Sequence, residues 1–277
     1  MSDEVRLVQG DDPQMAQAYK NARANFKYFW RELMWERQRI IPAMVMANVK
    51  VCCEDPPELA VQHGQGAEYM WLSDPVFDGK TISGTLLNQP NWLVSVRDGQ
   101  QLKLPASKIS DWMYVYPDDK VHGAFSVQVL RSRMGKRERK QHDAAWGLDF
   151  GEPDSVRIIP DDWNPAAPQK KGFLAKLSGK AEPPPKVDYQ AIEHPMSLNM
   201  VQKLEEHLQA TPDALMEKDE LGWTLLHRQA SAGSTTIVKT LLRHGADTNA
   251  KSANGLTPLQ IAKGLGWRDV TKLLSSV

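Results

Sequence analysis

The sequence predicts an α+β fold: an N-terminal domain in which one long helix lies on an antiparallel sheet, followed by a short all-α stack. Three observations predict it. After Asp12, apolar residues recur every three to four positions, the period of a helix with one buried face. Between Met44 and Arg131 they fall instead into short β-rich runs separated by turn formers. Near the C-terminus one phrase is said twice, GWTLLH from Gly222 and GLTPLQ from Gly255, an interval of 33 residues that marks a repeat architecture.

The first element starts at Asp12, an N-cap type of residue, with Pro13 at the first helical position. Tyr19, Ala22, Phe26, Phe29, Trp30, Leu33 and Met34 form its apolar stripe, and Pro42 sets its end. The strand candidates follow: MVMANVKVCC, YMWL, TISGTLL, WLVSV, QLKL, DWMYVY and FSVQVL, with Asp78-Gly79 and Asp98-Gly99 as turns. A basic stretch, RSRMGKRERKQH, and an extension, AWGLDFGEPDSVRIIP, close a domain over residues 1–159 whose core spans about 12–135. Residues 160–186 carry six prolines among small and polar residues, a composition that builds no core and reads as a linker. Its apolar island, Phe173, Leu174 and Leu177, is expected to dock onto either domain, the alternative being a partner-binding peptide. Residues 187–277 complete the chain, with Val201, Leu204 and Leu208 marking another amphipathic helix.

Aligned on Gly222 and Gly255, Thr224 meets Thr257, Leu226 meets Leu259, Gly233 meets Gly266, Ile237 meets Val270 and Leu241 meets Leu274. This pattern resembles the ankyrin repeat, in units 219–251 and 252–277 with a degenerate leading unit at about 197–218. Each position has a physical reason: Gly for positive φ in the turn, Thr to cap a helix, Pro258 for its first turn, and Gly245 to end the second helix. The units depart from the pattern at Leu225, Arg228, Gln229, Gln260 and Lys263. Repeats bury their core only by stacking, so so short an array needs a cap, expected from Tyr189 to Met196 or from the first domain. The resemblance implies binding of another protein through finger tips and helix faces. The residues expected to carry it are Glu220, Leu221, Trp223 and Arg228 in the first unit, and Ser252, Asn254 and Leu256 in the second.

In the first domain, EYMWL, GTLLNQP and ISDWMYV occur in that order, with Glu68, Trp71, Gly84, Leu86, Asn88, Pro90, Ser110, Asp111 and Trp112 as the recurring positions. This resembles the bacterial domain-of-unknown-function family 2314, which implies a fold unit and no activity. Trp71 and Trp112 read as core, and Asn88 and Pro90 as turn chemistry. Asp111 reads as a local cap, or alternatively as the carboxylate of a site with Trp71 and Asn88.

The chain has 277 residues, 41% apolar and 25% charged, with zero net charge, so nothing global draws it to nucleic acid or anionic membranes. Its two cysteines are the neighbours Cys52 and Cys53, which suits a reducing, cytoplasmic setting and supplies no zinc site. The seven histidines lack metal-ligand spacing, and phosphate-loop, dinucleotide and nucleophile-elbow signatures are incomplete or absent. No catalytic residue, metal or cofactor is therefore expected. Arg131, Arg133, Lys136, Arg137, Arg139 and Lys140 form a patch suited to an acidic partner, without a nucleic-acid fold signature beside it. The expectation is a non-enzymatic cytosolic protein that binds another protein, in one version an immunity protein neutralising a toxin or an adaptor. The alternatives are a ligand-binding or enzymatic first domain with ankyrin repeats for targeting, and nucleic-acid binding through 131–140.

Overall fold

The computed structural model describes residues 12–59, 66–163 and 187–277. His63 and residues 164–186 of the linker expected over 160–186, with its Phe173, Leu174 and Leu177, lie outside them. The chain divides into two compact units, Met1–Ile158 and Ile159–Val277.

The first unit opens with α1 (Pro13–Glu36), whose N-cap Asp12 accepts from the Gln14 and Met15 amides. The helix ends six residues before Pro42, because the Glu36 carboxylate turns the chain by accepting from the Ala43 (2.5 Å) and Met44 (2.8 Å) amides. Six antiparallel strands follow: β1 (Met46–Glu54), β2 (Ala67–Phe77), β3 (Thr81–Leu86), β4 (Gln101–Pro105), β5 (Ile109–Val115) and β6 (Val121–Gly123), in the order β4-β3-β2-β1-β5-β6. Val49, Leu72 and Trp112 stand side by side in the register and so share one face. That face takes α1: the Trp112 indole donates to the Ala22 carbonyl at 2.8 Å, and Phe29 lies 5.7 Å from the Trp112 ring. β2 carries a register shift between Ser73 and Val76, with Asp74 at φ 49°, and such a bulge bends its strand. Phe77, beyond the bend, packs against Phe26 and Trp30.

Two of the expected strands are something else. FSVQVL is helix α2 (Phe125–Ser132), because Ala124 turns at φ 57° and the buried Asp111 accepts from the Phe125 and Ser126 amides, capping the helix from a strand 14 residues earlier. WLVSV is a loop, since Glu68 accepts from the Asn91 and Trp92 amides and Asp55 from those of Val94 and Ser95, which leaves no backbone for a ladder. Helix α3 (Lys136–Trp146) holds much of the basic stretch. Phe150 then returns into a second cluster with Met113, Val115, Val121, Ala124 and Val127, on the face opposite Trp112.

The second unit contains α4 (Pro195–Ala210), α5 (Leu225–Ser231), α6 (Thr235–Arg243), α7 (Pro258–Leu265) and α8 (Arg268–Ser275). The pairs α5–α6 and α7–α8 are helical hairpins broken at Gly233 (φ 69°) and Gly266 (φ 74°). Thirty-three residues before Gly233 stands Met200, which favours no left-handed turn, and α4 runs straight through that point. Its C-terminal half occupies the place of a second helix and packs on α6, with Leu208 buried.

Candidate protein-binding site

The two finger turns are built by one scheme with different side chains. In the first, Asp219 Oδ1 accepts from the Leu221 (3.0 Å) and Trp223 (2.8 Å) amides; in the second, Ser252 Oγ accepts from the Leu256 amide at 3.1 Å. Gly222 and Gly255 close the turns at φ 67° and 81°. The fingers are tied together by three bonds: Ala253 N to the Leu221 carbonyl (2.9 Å), Lys218 Nζ to the Lys251 carbonyl (3.0 Å), and the His227 Nε2 to the Leu256 carbonyl (3.0 Å). His227 is also fixed by its Nδ1, which accepts from the Thr224 amide, and burial holds its pKa below the usual imidazole value. The fingers therefore form one pre-ordered edge.

On that edge Glu220 is exposed, and Leu221, Asn254 and Leu256 are half-buried. Arg228 is half-buried and pairs with Asp219 at 3.0 Å, so it braces the first finger. Two expectations need correction. Trp223 is only 1% exposed, and Ser252 is buried because its hydroxyl serves the turn itself. Sequence reading missed Met216, 69% exposed just ahead of the first finger; a lone Met in a polar stretch gives no periodic signal.

In the first unit, two of the three residues expected to form a site, Trp71 and Asp111, share one row of the sheet. Trp71, Lys50 and Asp111 are register partners across β2, β1 and β5. Asn88 accepts from the Trp71 amide at 3.2 Å, as turn chemistry requires, and Trp71 is half-buried and packs against the cluster around Phe150. The Asp111 carboxylate receives the amides of Trp112 (2.8 Å), Phe125 (3.0 Å) and Ser126 (2.7 Å) and the Ser126 hydroxyl (2.6 Å). Burial raises its pKa against the pull of those donors, and its acceptor capacity is spent on α2. A groove of about 440 Å³ between α1, α2 and residues 153–156 is lined by Gln14, Asn21, Phe125 and Gln128, and touches none of the three. Lys50 is the member the sequence hid, although a charge between Val49 and Val51 in an apolar strand was its signal. Its ammonium lies 5.5 Å from the Trp71 ring centre, and burial lowers its pKa while Asp111 opposes the shift.

The basic patch is smaller than its sequence. Arg131 is 1% exposed, forks onto Asp143 at 2.8 and 2.6 Å and covers the Phe150 ring, so it is a core residue. Arg133 pairs with Asp12, and the half-buried Arg139 donates to the Met134 carbonyl. Lys136, Arg137 and Lys140 remain exposed on α3. Among the described residues no cluster of His, Cys, Asp or Glu is arranged to hold a metal ion, and no helix is long and apolar enough to cross a membrane.

Residues 189–276 match the family model for ankyrin repeats (3 copies). Over 268 residues the chain is 37% identical to a putative ankyrin repeat protein of Neisseria meningitidis serogroup B, covering 97% of this chain and 95% of that one. It is 33% identical over 76 residues to the uncharacterized protein YegJ of Escherichia coli, 27% of this chain and 48% of that protein. A third similarity, 42% over 62 residues, is to the 2-5A-dependent ribonuclease of mouse and spans 22% of this chain and 8% of that protein. The ankyrin repeats support a protein-interaction role. With residues 12–150 matching the model described as uncharacterized protein conserved in bacteria (DUF2314), the chain belongs to that bacterial family and carries ankyrin repeats behind its family domain.

Proposed function

We propose that this is a non-enzymatic cytoplasmic protein that recognises one partner protein through the paired fingers of its ankyrin unit, as an adaptor or as an immunity protein that covers the working surface of a toxin. The observation that carries the reading is the pre-ordered finger edge, where three bonds between the two fingers hold Glu220, Leu221, Asn254 and Leu256 before any partner arrives. Ordering the loops in advance removes an entropic cost of binding, and half-buried leucines beside polar tips suit a protein surface. The test is copurification from native cells of the tagged full chain beside a Leu221→Ala, Leu256→Ala double variant. One stoichiometric protein, lost in the variant, is the expected result, and its identity decides between adaptor and immunity protein. Recovery of the same protein by both baits would refute the finger assignment.

Lys50 favours a second reading, in which the first domain holds a small ligand against Trp71. An amine with a lowered pKa beside an indole suits a carbonyl or aromatic acid. Quenching of Trp fluorescence by a ligand library, abolished in Lys50→Met, would support it; identical titrations in the two proteins would remove it.

A further inference from the structure

Neither second helix of the two hairpins caps its own N-terminus: Ser234 before α6 and Trp267 before α8 accept no side-chain hydrogen bond. Both caps come from one upstream segment. Glu193 Oε1 accepts from the Thr236 amide at 2.8 Å and its Oε2 from the Thr236 hydroxyl at 2.6 Å. Gln190 Oε1 accepts from the Arg268 amide at 3.1 Å, and the Arg268 guanidinium pairs with Asp188. The segment is itself folded, with Asp188 capping the turn Tyr189–Ala191 and His194 capping α4 by accepting from the Met196 amide.

We infer that Asp188–Glu193 is a clasp that couples the two hairpins and replaces, for this short stack, the first helix that the leading unit lacks. An orphan amide at a helix start is worth about 1 kcal/mol when capped, and the carboxylates at 188 and 193 add the favourable charge at the positive end of each helix. One hydrogen-bonded segment serves α6 and α8, whose starts are 33 residues apart, so loosening one end is expected to loosen the other. In a quasi-one-dimensional array, such a lateral tie supplies cooperativity that stacking alone gives only with more repeats.

Hydrogen–deuterium exchange on the full chain tests this, comparing the native protein with Glu193→Gln, Thr236→Val and Arg268→Gln. Glu193 and Thr236 make no bond to α8, yet both variants are expected to speed exchange across α8 as well as α6, by about fivefold or more, the change that one lost cap predicts. Arg268→Gln is expected to do the same in α6. The clasp is overturned if each variant changes only the amides at its own contact, or changes none. Because Thr236→Val leaves the upstream segment intact, it keeps the test decisive if Glu193→Gln fails to fold.

Discussion

At the scale of single residues, the acidic side chains of the first unit act mainly on backbone. Glu36, Asp55, Glu68, Asp78 and Asp111 each accept two or more hydrogen bonds from amides far along or just beyond their own element. Asp111→Ala would leave the Phe125 and Ser126 amides and the Ser126 hydroxyl buried without an acceptor, at about 1–3 kcal/mol each, so we expect at least about 3 kcal/mol of lost stability in urea unfolding. Asp111→Asn should lose less, since one amide oxygen still accepts. His227 gives a pH dependence. Its folded pKa lies below the unfolded value, so the unfolded chain binds the extra proton first; the stabilisation is fully present above pH about 6.5 and is lost as pH falls below it toward the folded pKa. Melting of the ankyrin unit followed from pH 8 to pH 5 should show that loss, and His227→Gln should remove the slope. Cys53, buried and pushed up to about 11, is expected to stay unmodified by a thiol reagent at neutral pH until the protein unfolds.

At the scale of elements, glycine positions decide where helices stop. A Cβ at Gly233 would stand 2.4 Å from the Trp267 ring, whose indole donates to the Ser231 carbonyl at 2.9 Å; at Gly245 nothing lies within 4 Å. Both have positive φ. Gly245→Ala should therefore cost only the left-handed backbone, about 1–2 kcal/mol, whereas Gly233→Ala adds overpacking of about 1–3 kcal/mol. Equal losses in chemical denaturation would show that Trp267 yields freely. The segment FSVQVL teaches the converse lesson: its alternation of apolar and polar residues is ambiguous over six positions, and the cap from Asp111 that makes it helical is invisible locally. WLVSV fails for the same reason, with Asp55 and Glu68 between 23 and 40 residues upstream.

At the scale of the whole molecule, zero net charge and a basic run half engaged in its own fold argue against nucleic acid. With Arg131 buried and Arg133 paired, only Lys136, Arg137 and Lys140 present open charge, too few for a large salt-dependent affinity. The full chain at low salt is expected to show no retention on duplex DNA or single-stranded RNA columns; tight binding that weakens steeply with salt would contradict this. The sequence by itself determined the fold class, the long first helix from its periodicity and Asp12-Pro13 start, most strands, and the repeat from residues that recur at 33. Those signals are local or periodic, and a chain displays them wherever its neighbours lie in space. Only the tertiary structure decided that Trp223 and Arg131 are buried, that Lys50 sits in a row with Trp71 and Asp111, and that Asp188–Glu193 caps two distant helices. Each of these depends on which side chain meets which backbone group across tens of residues, and a hydrogen-bond partner that remote leaves no mark on the composition or period of either segment.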